Sequence, residues 1–217
     1  MKTASKSNKD PWKMFRWGLV SLGWSIIVLN HIFLMNGLHH SYGFFEALFH
    51  GLKLFTIQSN ILVLLSLSFV LGYGEKDKDH FLTDPKVRTA LGVYITATML
   101  TFFVVLRQEY RTTGVLHAVH VITHYVVPLG YLLDWFFTVK IEEYPWRDSL
   151  WWTLYPLSYG LFSLVYGNFV GDYAYPFLNL QVLTGTQVAF NLLLGILGFY
   201  ILGLLFIILQ RRRKFQS

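Results

Sequence analysis

Apolar residues along the chain gather into six long runs, at about residues 12–35, 44–73, 86–106, 114–139, 149–166 and 186–209. An α-helix rises 1.5 Å per residue, so ~20 apolar residues cross a ~30 Å hydrocarbon core. The pattern predicts an all-α, polytopic membrane protein: one six-helix transmembrane bundle over residues 12–210. Outside it lie a disordered basic tail at 1–11 and a second basic tail at 211–217. The first run resembles a signal peptide in its basic flank. It is too long for one and lacks a small-residue cleavage site, so it reads as a retained helix.

The second run has an ambiguous start. Hydropathy is strong from Leu54, yet residues 43–52 (GFFEALFHGL) are largely apolar too. A single helix over 43–72 would be ~45 Å long, more than the hydrocarbon core. One long helix or a kinked pair is expected, with a short surface helix before the span as the alternative. The connection at 167–185 contains YAYPFLN, too aromatic for a free linker, and is expected to pack across the mouth of the bundle.

Composition supports this class. Of 217 residues, 54% are hydrophobic, 18% aromatic and 14% charged, unlike a soluble domain. The net charge of +6 does not imply nucleic acid, because Lys and Arg flank the apolar runs. With the N-terminus inside, only Lys53, Arg107 and Arg111 of the 18 basic residues fall outside. The positive-inside rule then places both termini in the cytoplasm, and a bacterial cytoplasmic membrane is the expected location. There is no cysteine, which removes disulfides, thiol nucleophiles and Cys-based metal sites. No internal repeat relates the two halves, which weakens an inverted-repeat transporter.

Polar residues inside the runs carry the candidate chemistry. On the fourth run His117, His120 and His124 form one helical stripe, continued by Pro128, Tyr131 and Asp134. Ionisable groups in a membrane helix are costly and face the bundle interior by default. On the second run Lys53, Thr56 and Asn60 share a face, with Ser59 beside them and Gln58 towards the next. His124 lies ~15 Å below the start of its helix, and Thr56 reaches that depth if its helix begins near Ala47. A helix starting at Leu54 would leave Thr56 near the surface, out of reach of His124.

A neutral imidazole within hydrogen-bond reach turns a threonine hydroxyl into a nucleophile. Thr56 and His124 form such a dyad, or else simply hydrogen-bond two helices together. His120, Asn60 or a tyrosine would orient the ring, and Lys53 would attract a carboxylate or stabilise an oxyanion. Tyr155 and Tyr159, with Tyr166, line one face of the fifth run, as a lipid slot or as aromatic packing. Gln187 and Asn191 mark one face of the sixth. Asp134 is expected to pair with Arg88 or Arg147, and Asp172 and Glu46 with Arg107, Arg111 or Lys53. A metal site on the three histidines would need ligands ~10 Å apart along one helix to converge. No metal or cofactor is therefore expected.

The segment Lys53-Leu54-Phe55-Thr56-Ile57, the histidine-rich helix up to Pro128, and Tyr175-Pro176-Phe177-Leu178 together resemble the androgen-induced membrane proteins, and HYVVP, LDW and YPF resemble that family's bacterial branch. The order of these motifs, the chain length and the six predicted helices agree with the family over nearly the whole sequence. The resemblance implies hydrolysis of fatty acid esters of hydroxy fatty acids within the bilayer, with Thr56 as nucleophile and His124 as base. Two histidines three apart precede the proline in the animal proteins, whereas His120 and His124 are four apart. The expected function is thus an intramembrane lipid-ester hydrolase, with a membrane lipid as partner and no nucleic acid. A non-enzymatic lipid-binding protein, a small transporter and a histidine-based metal hydrolase are the alternatives.

Overall fold

Five helical stretches are long and apolar enough to cross a membrane: Pro11–Met35, Phe55–Tyr73, Pro85–Leu106, Gly114–Thr138 and Gly185–Lys214. They come from a computed structural model that describes residues 11–36, 42–74, 80–108 and 112–216, with side chains to 214. The basic tail up to residue 10, Lys76, Lys78 and Arg111 lie outside the described residues. The described residues form helices and connections without a strand.

In chain order the helices are α1 (Pro11–Met35), α2 (Phe44–Leu52), α3 (Phe55–Tyr73), α4 (Pro85–Thr101), α5 (Gly114–Val121), α6 (Val127–Thr138), α7 (Asp148–Trp152), α8 (Leu154–Val170) and α9 (Gly185–Gln216). Two π-helical turns extend this set. Phe102–Leu106 continues α4, and Ile122–Val126 joins α5 to α6.

Helices α3 and α4 pack together at the centre, with α1 against α3, α6 against α4, and α9 against α4 and α7. Their contact surface is apolar: Val63, Leu64, Leu67, Val93 and Ile95 are fully enclosed. Without a hydrophobic drive between helices in lipid, close approach relies on small residues. A Cβ on Gly23 would come within 2.4 Å of Leu64, and one on Gly130 within 2.8 Å of Leu19, so both glycines let α1 settle against its neighbours. Outward, α9 exposes Phe190, Leu193, Leu194, Leu197, Ile201 and Leu205. A surface of that kind suits lipid rather than water.

Of the forms expected for the second run, the structure has a pair of helices and not one long helix, with the break at Lys53–Leu54 between α2 and α3. Two other expectations change. The fifth run is also broken, at Thr153, into α7 and α8, so it does not supply an uninterrupted crossing helix. Pro156 explains this second break. It offers no N–H to the Trp152 carbonyl and its ring crowds that group; the carbonyl instead accepts from Tyr94 OH at 2.9 Å. Finally, the predicted tail at 211–217 continues α9 as far as Gln216.

Candidate functional site

Thr56 is the second residue of α3, placed there by the break before it. Leu54 is extended, with φ −89° and ψ 126°, so a helix N-terminus opens inside the bundle. The first N–H groups of a helix have no acceptor within it. Here two tyrosines from distant parts of the chain take them. Phe55 N–H donates to Tyr159 OH over 3.2 Å, and Thr56 N–H donates to Tyr175 OH over 3.3 Å. Tyr159 in turn donates to the Lys53 carbonyl at 2.8 Å, so one phenol satisfies both sides of the break. Interrupted backbone at membrane depth persists only where neighbours satisfy it in this way.

His124 owes its placement to Pro128. A proline has no N–H for the carbonyl four residues back, which here is that of His124, and its ring presses on it. The chain takes up the strain in the π turn Ile122–Val126, closed by Val127 N–H donating to Ile122 O. Such turns re-aim side chains and recur at functional sites. The His124 ring stacks on Phe102, the first residue of the other π turn, with centroids 3.8 Å apart.

The hydrogen bonds assign the tautomer of His124. Its Nδ1 lies 3.0 Å from the His120 carbonyl, which can only accept, so Nδ1 carries the proton. Thr123 Oγ1 donates to Val119 O at 2.7 Å and lies 3.2 Å from Nδ1, where it also accepts. The lone pair is therefore on Nε2, which faces Thr56 Oγ1 at 3.4 Å. Tyr175 OH stands 3.4 Å from the same oxygen. These contacts are longer than closed hydrogen bonds, and catalytic contacts in empty sites commonly tighten only around substrate.

Thr56 thus meets His124 although α3 starts at Phe55, contrary to the expectation that a late start would leave it near the surface. The chain before the break is still helical, so α2 supplies helical residues ahead of α3.

The other candidates divide into groups. Asn60 does not touch the ring; its Nδ2 donates to Thr56 O at 2.8 Å and Thr123 O at 3.0 Å, tying the two chains of the dyad together. Ser59 Oγ donates to Thr56 O and pairs with Thr98 Oγ1 at 2.8 Å. His120 helps orient His124 through its carbonyl, and its ring stacks on Phe102 at 5.6 Å. Gln58 faces away, accepting from Tyr155 OH at 2.6 Å and donating to Leu52 O at 2.7 Å. Lys53 precedes α3, and its ammonium is enclosed against Asp172. Asn191 donates to Phe177 O at 2.9 Å, holding the strap that carries Tyr175. His117 is exposed, and among the described residues no three His, Asp or Glu side chains gather as a metal site.

Thr123, Phe102 and Asn30 were not singled out from sequence, and Tyr175 was named there only within the YPFL motif, without a role in the site. For Tyr175 a signal existed: an aromatic loop too apolar to be a linker. Two cavities meet at this point. One, of about 640 Å³ with its mouth, is walled by Leu178, Leu192, Ile196 and Phe199, and carries Tyr159 and Asn191. The other, of about 470 Å³ with its mouth, is lined by His120, Thr123, His124 and Asn30. Thr56, Leu106 and Tyr175 border both.

No family model, curated protein or solved structure matches this chain.

Proposed function

We propose that this chain is an intramembrane hydrolase of lipid (fatty-acyl) esters, with Thr56 as nucleophile and His124 as base. The observation that carries the reading is the approach of Thr56 Oγ1 to His124 Nε2, 3.4 Å apart between two cavities, with His124 Nδ1 turned to the His120 carbonyl. The resemblance to the androgen-induced membrane proteins supports it through the same two residues. On the positive-inside count both termini face the cytoplasm, and the resemblance to the family's bacterial branch implies a bacterial cytoplasmic membrane.

In the first half-reaction Thr56 Oγ1 bonds to the ester carbonyl carbon while its proton passes to His124 Nε2. The carbonyl electrons move onto oxygen. That charge forms beside the α3 N-terminus and the Tyr175 hydroxyl, both suited to stabilise an anion. Collapse breaks the carbon–alkoxy bond, and the leaving oxygen takes the proton from Nε2. In the second half, water gives a proton to Nε2 and its oxygen attacks the acyl-threonine. Thr56 then leaves with that proton, and a carboxylic acid is released.

The test uses protein in nanodiscs with a long-chain ester. Wild type should cleave it and react with a fluorophosphonate probe. Thr56→Ala and His124→Ala should do neither while keeping their helical spectra. Normal turnover by both variants would sink the proposal.

A further inference from the structure

The two cavities are not equivalent, because His124 lines one of them and not the other. From this we infer how an ester lies across Thr56: its alcohol arm in the cavity of Asn30 and His120, its acyl arm in the cavity of Ile196 and Phe199. The inference rests on the hydrolase reading above. Its logic is that of proton delivery. The group that removes the Thr56 proton must return one to the departing alkoxide, so the leaving oxygen has to be on the side of Nε2. Only the second cavity offers that side. The carbonyl carbon stays on Thr56 through acylation, and its chain is left to the first cavity.

Both cavities are walled mainly by apolar groups, so either can hold a hydrocarbon chain, and it is the position of His124 that separates them. The acyl cavity includes Leu192, Ile196 and Phe199. The cavity that His124 lines also carries the side chains of Asn30 and His120. Once the alcohol departs, that space beside Nε2 is where the hydrolytic water must stand, and these two groups can hydrogen-bond it. One cavity thus takes the alcohol first and water second, while the other holds the acyl chain through both steps.

Gly195 of α9 borders the acyl cavity, and a Cβ there would meet nothing within 4 Å. Gly195→Leu should therefore be accommodated and should shorten the cavity. Asn30→Leu makes the corresponding change on the other side. Two ester series are compared in nanodiscs: acyl chains of increasing length on one alcohol, and alcohols of increasing length on one acyl group. Gly195→Leu should shift the long-to-short ratio of kcat/KM about tenfold along the acyl series and not along the alcohol series. Asn30→Leu should do the reverse. If Gly195→Leu does not fold, Ile196→Phe on the same wall takes its place.

Exchanged effects, or each variant acting on both series alike, would overturn the assignment while leaving the hydrolase in place. A wild type that cleaves no member of either series would remove the hydrolase reading, and the arms with it.

Discussion

Two buried polar clusters in this bundle make opposite use of similar groups. At one, Asp134 of α6 is wholly enclosed and receives Arg16 Nε at 2.6 Å and Arg88 Nη2 at 2.5 Å. Both arginines are enclosed as well, and Tyr131 OH closes the arrangement on the Arg88 carbonyl at 2.9 Å. At the other, Thr56 Oγ1 stands 3.4 Å from both His124 Nε2 and Tyr175 OH at the meeting of two cavities. The first cluster has short, closed bonds between full charges, and it joins α1, α4 and α6. The second has long contacts between neutral groups, held in place by shorter bonds around them. Helix adhesion explains the first. It does not explain why the second leaves its central contacts slack beside open space.

The contrast is sharpest under deletion. Asp134→Ala would leave two guanidinium groups facing each other without a carboxylate, and breaking a buried ion cluster this way costs about 3–5 kcal/mol. Thermal unfolding in detergent should show that loss, or the variant should fail to accumulate. Thr56→Ala should do the opposite. Its melting point should stay near wild type while ester turnover falls by about a thousandfold or more, as when a nucleophile is removed. If Thr56→Ala proves the less stable of the two, the dyad is helix adhesive and the comparison fails.

Tyr175→Phe asks whether the slack contacts work as a unit. Phenylalanine keeps the stacking on Phe177, whose ring lies 5.1 Å away and nearly parallel. The hydroxyl beside Thr56 is lost, and with it the acceptor of the Thr56 N–H. Removing one donor to a developing oxyanion costs about a hundredfold in kcat, so kcat should fall by that order with KM little changed. A change in KM alone would make Tyr175 a wall rather than a participant. Asn60→Ala should act on both stability and rate. It removes two buried hydrogen bonds to the backbones of the dyad, for a loss of about 1–2 kcal/mol, and turnover should drop because Thr56 and His124 lose register. An Asn60→Ala protein with normal turnover would show that the two helices hold the geometry without it.

The histidine stripe, the polar stretch FTIQSN and most helix limits were legible because they depend on neighbours in sequence. The polarity of Thr56 and His124 was legible as well, since both are exceptions in apolar runs, but their 3.4 Å approach was expected only for an earlier helix start than Phe55. The place of the break at Lys53–Leu54 was not legible, although a kinked pair was one of the forms expected. No proline marks it, and it is sustained by Tyr159, more than a hundred residues away, which no local pattern reports. The break at Thr153 had its signal in Pro156, and the π turn at His124 had one in Pro128. In both cases the proline acts on the carbonyl four residues earlier, so the deviation appears upstream of the residue that causes it. The partners of Asp134 were half legible: Arg88 was expected, but Arg16 comes from a helix whose rotation sequence alone does not fix.

Between the two clusters in character stands the pair formed by Lys53 and Asp172. Lys53 is 4% exposed and Asp172 47%, so one partner is enclosed and the other is wet. Asp172→Asn leaves the enclosed Lys53 ammonium without its carboxylate, although an amide oxygen stays within reach and the Asp172 side of the pair is half open to water. It should therefore lower stability by about 1–3 kcal/mol, less than Asp134→Ala. Its reach into the site is mechanical. Asp172 lies three residues before Tyr175 on the strap that ends at α9, so loosening it gives the phenol more freedom over Thr56. Turnover should fall a few-fold. Raising salt should produce the same fall in wild type but not in the variant, because added ions screen a charge pair near water. A loss as deep as that of Tyr175→Phe would mean that the pair belongs to the chemistry. The slack site would then extend to Lys53, and the boundary between adhesive and reactive polar groups would have to be redrawn there.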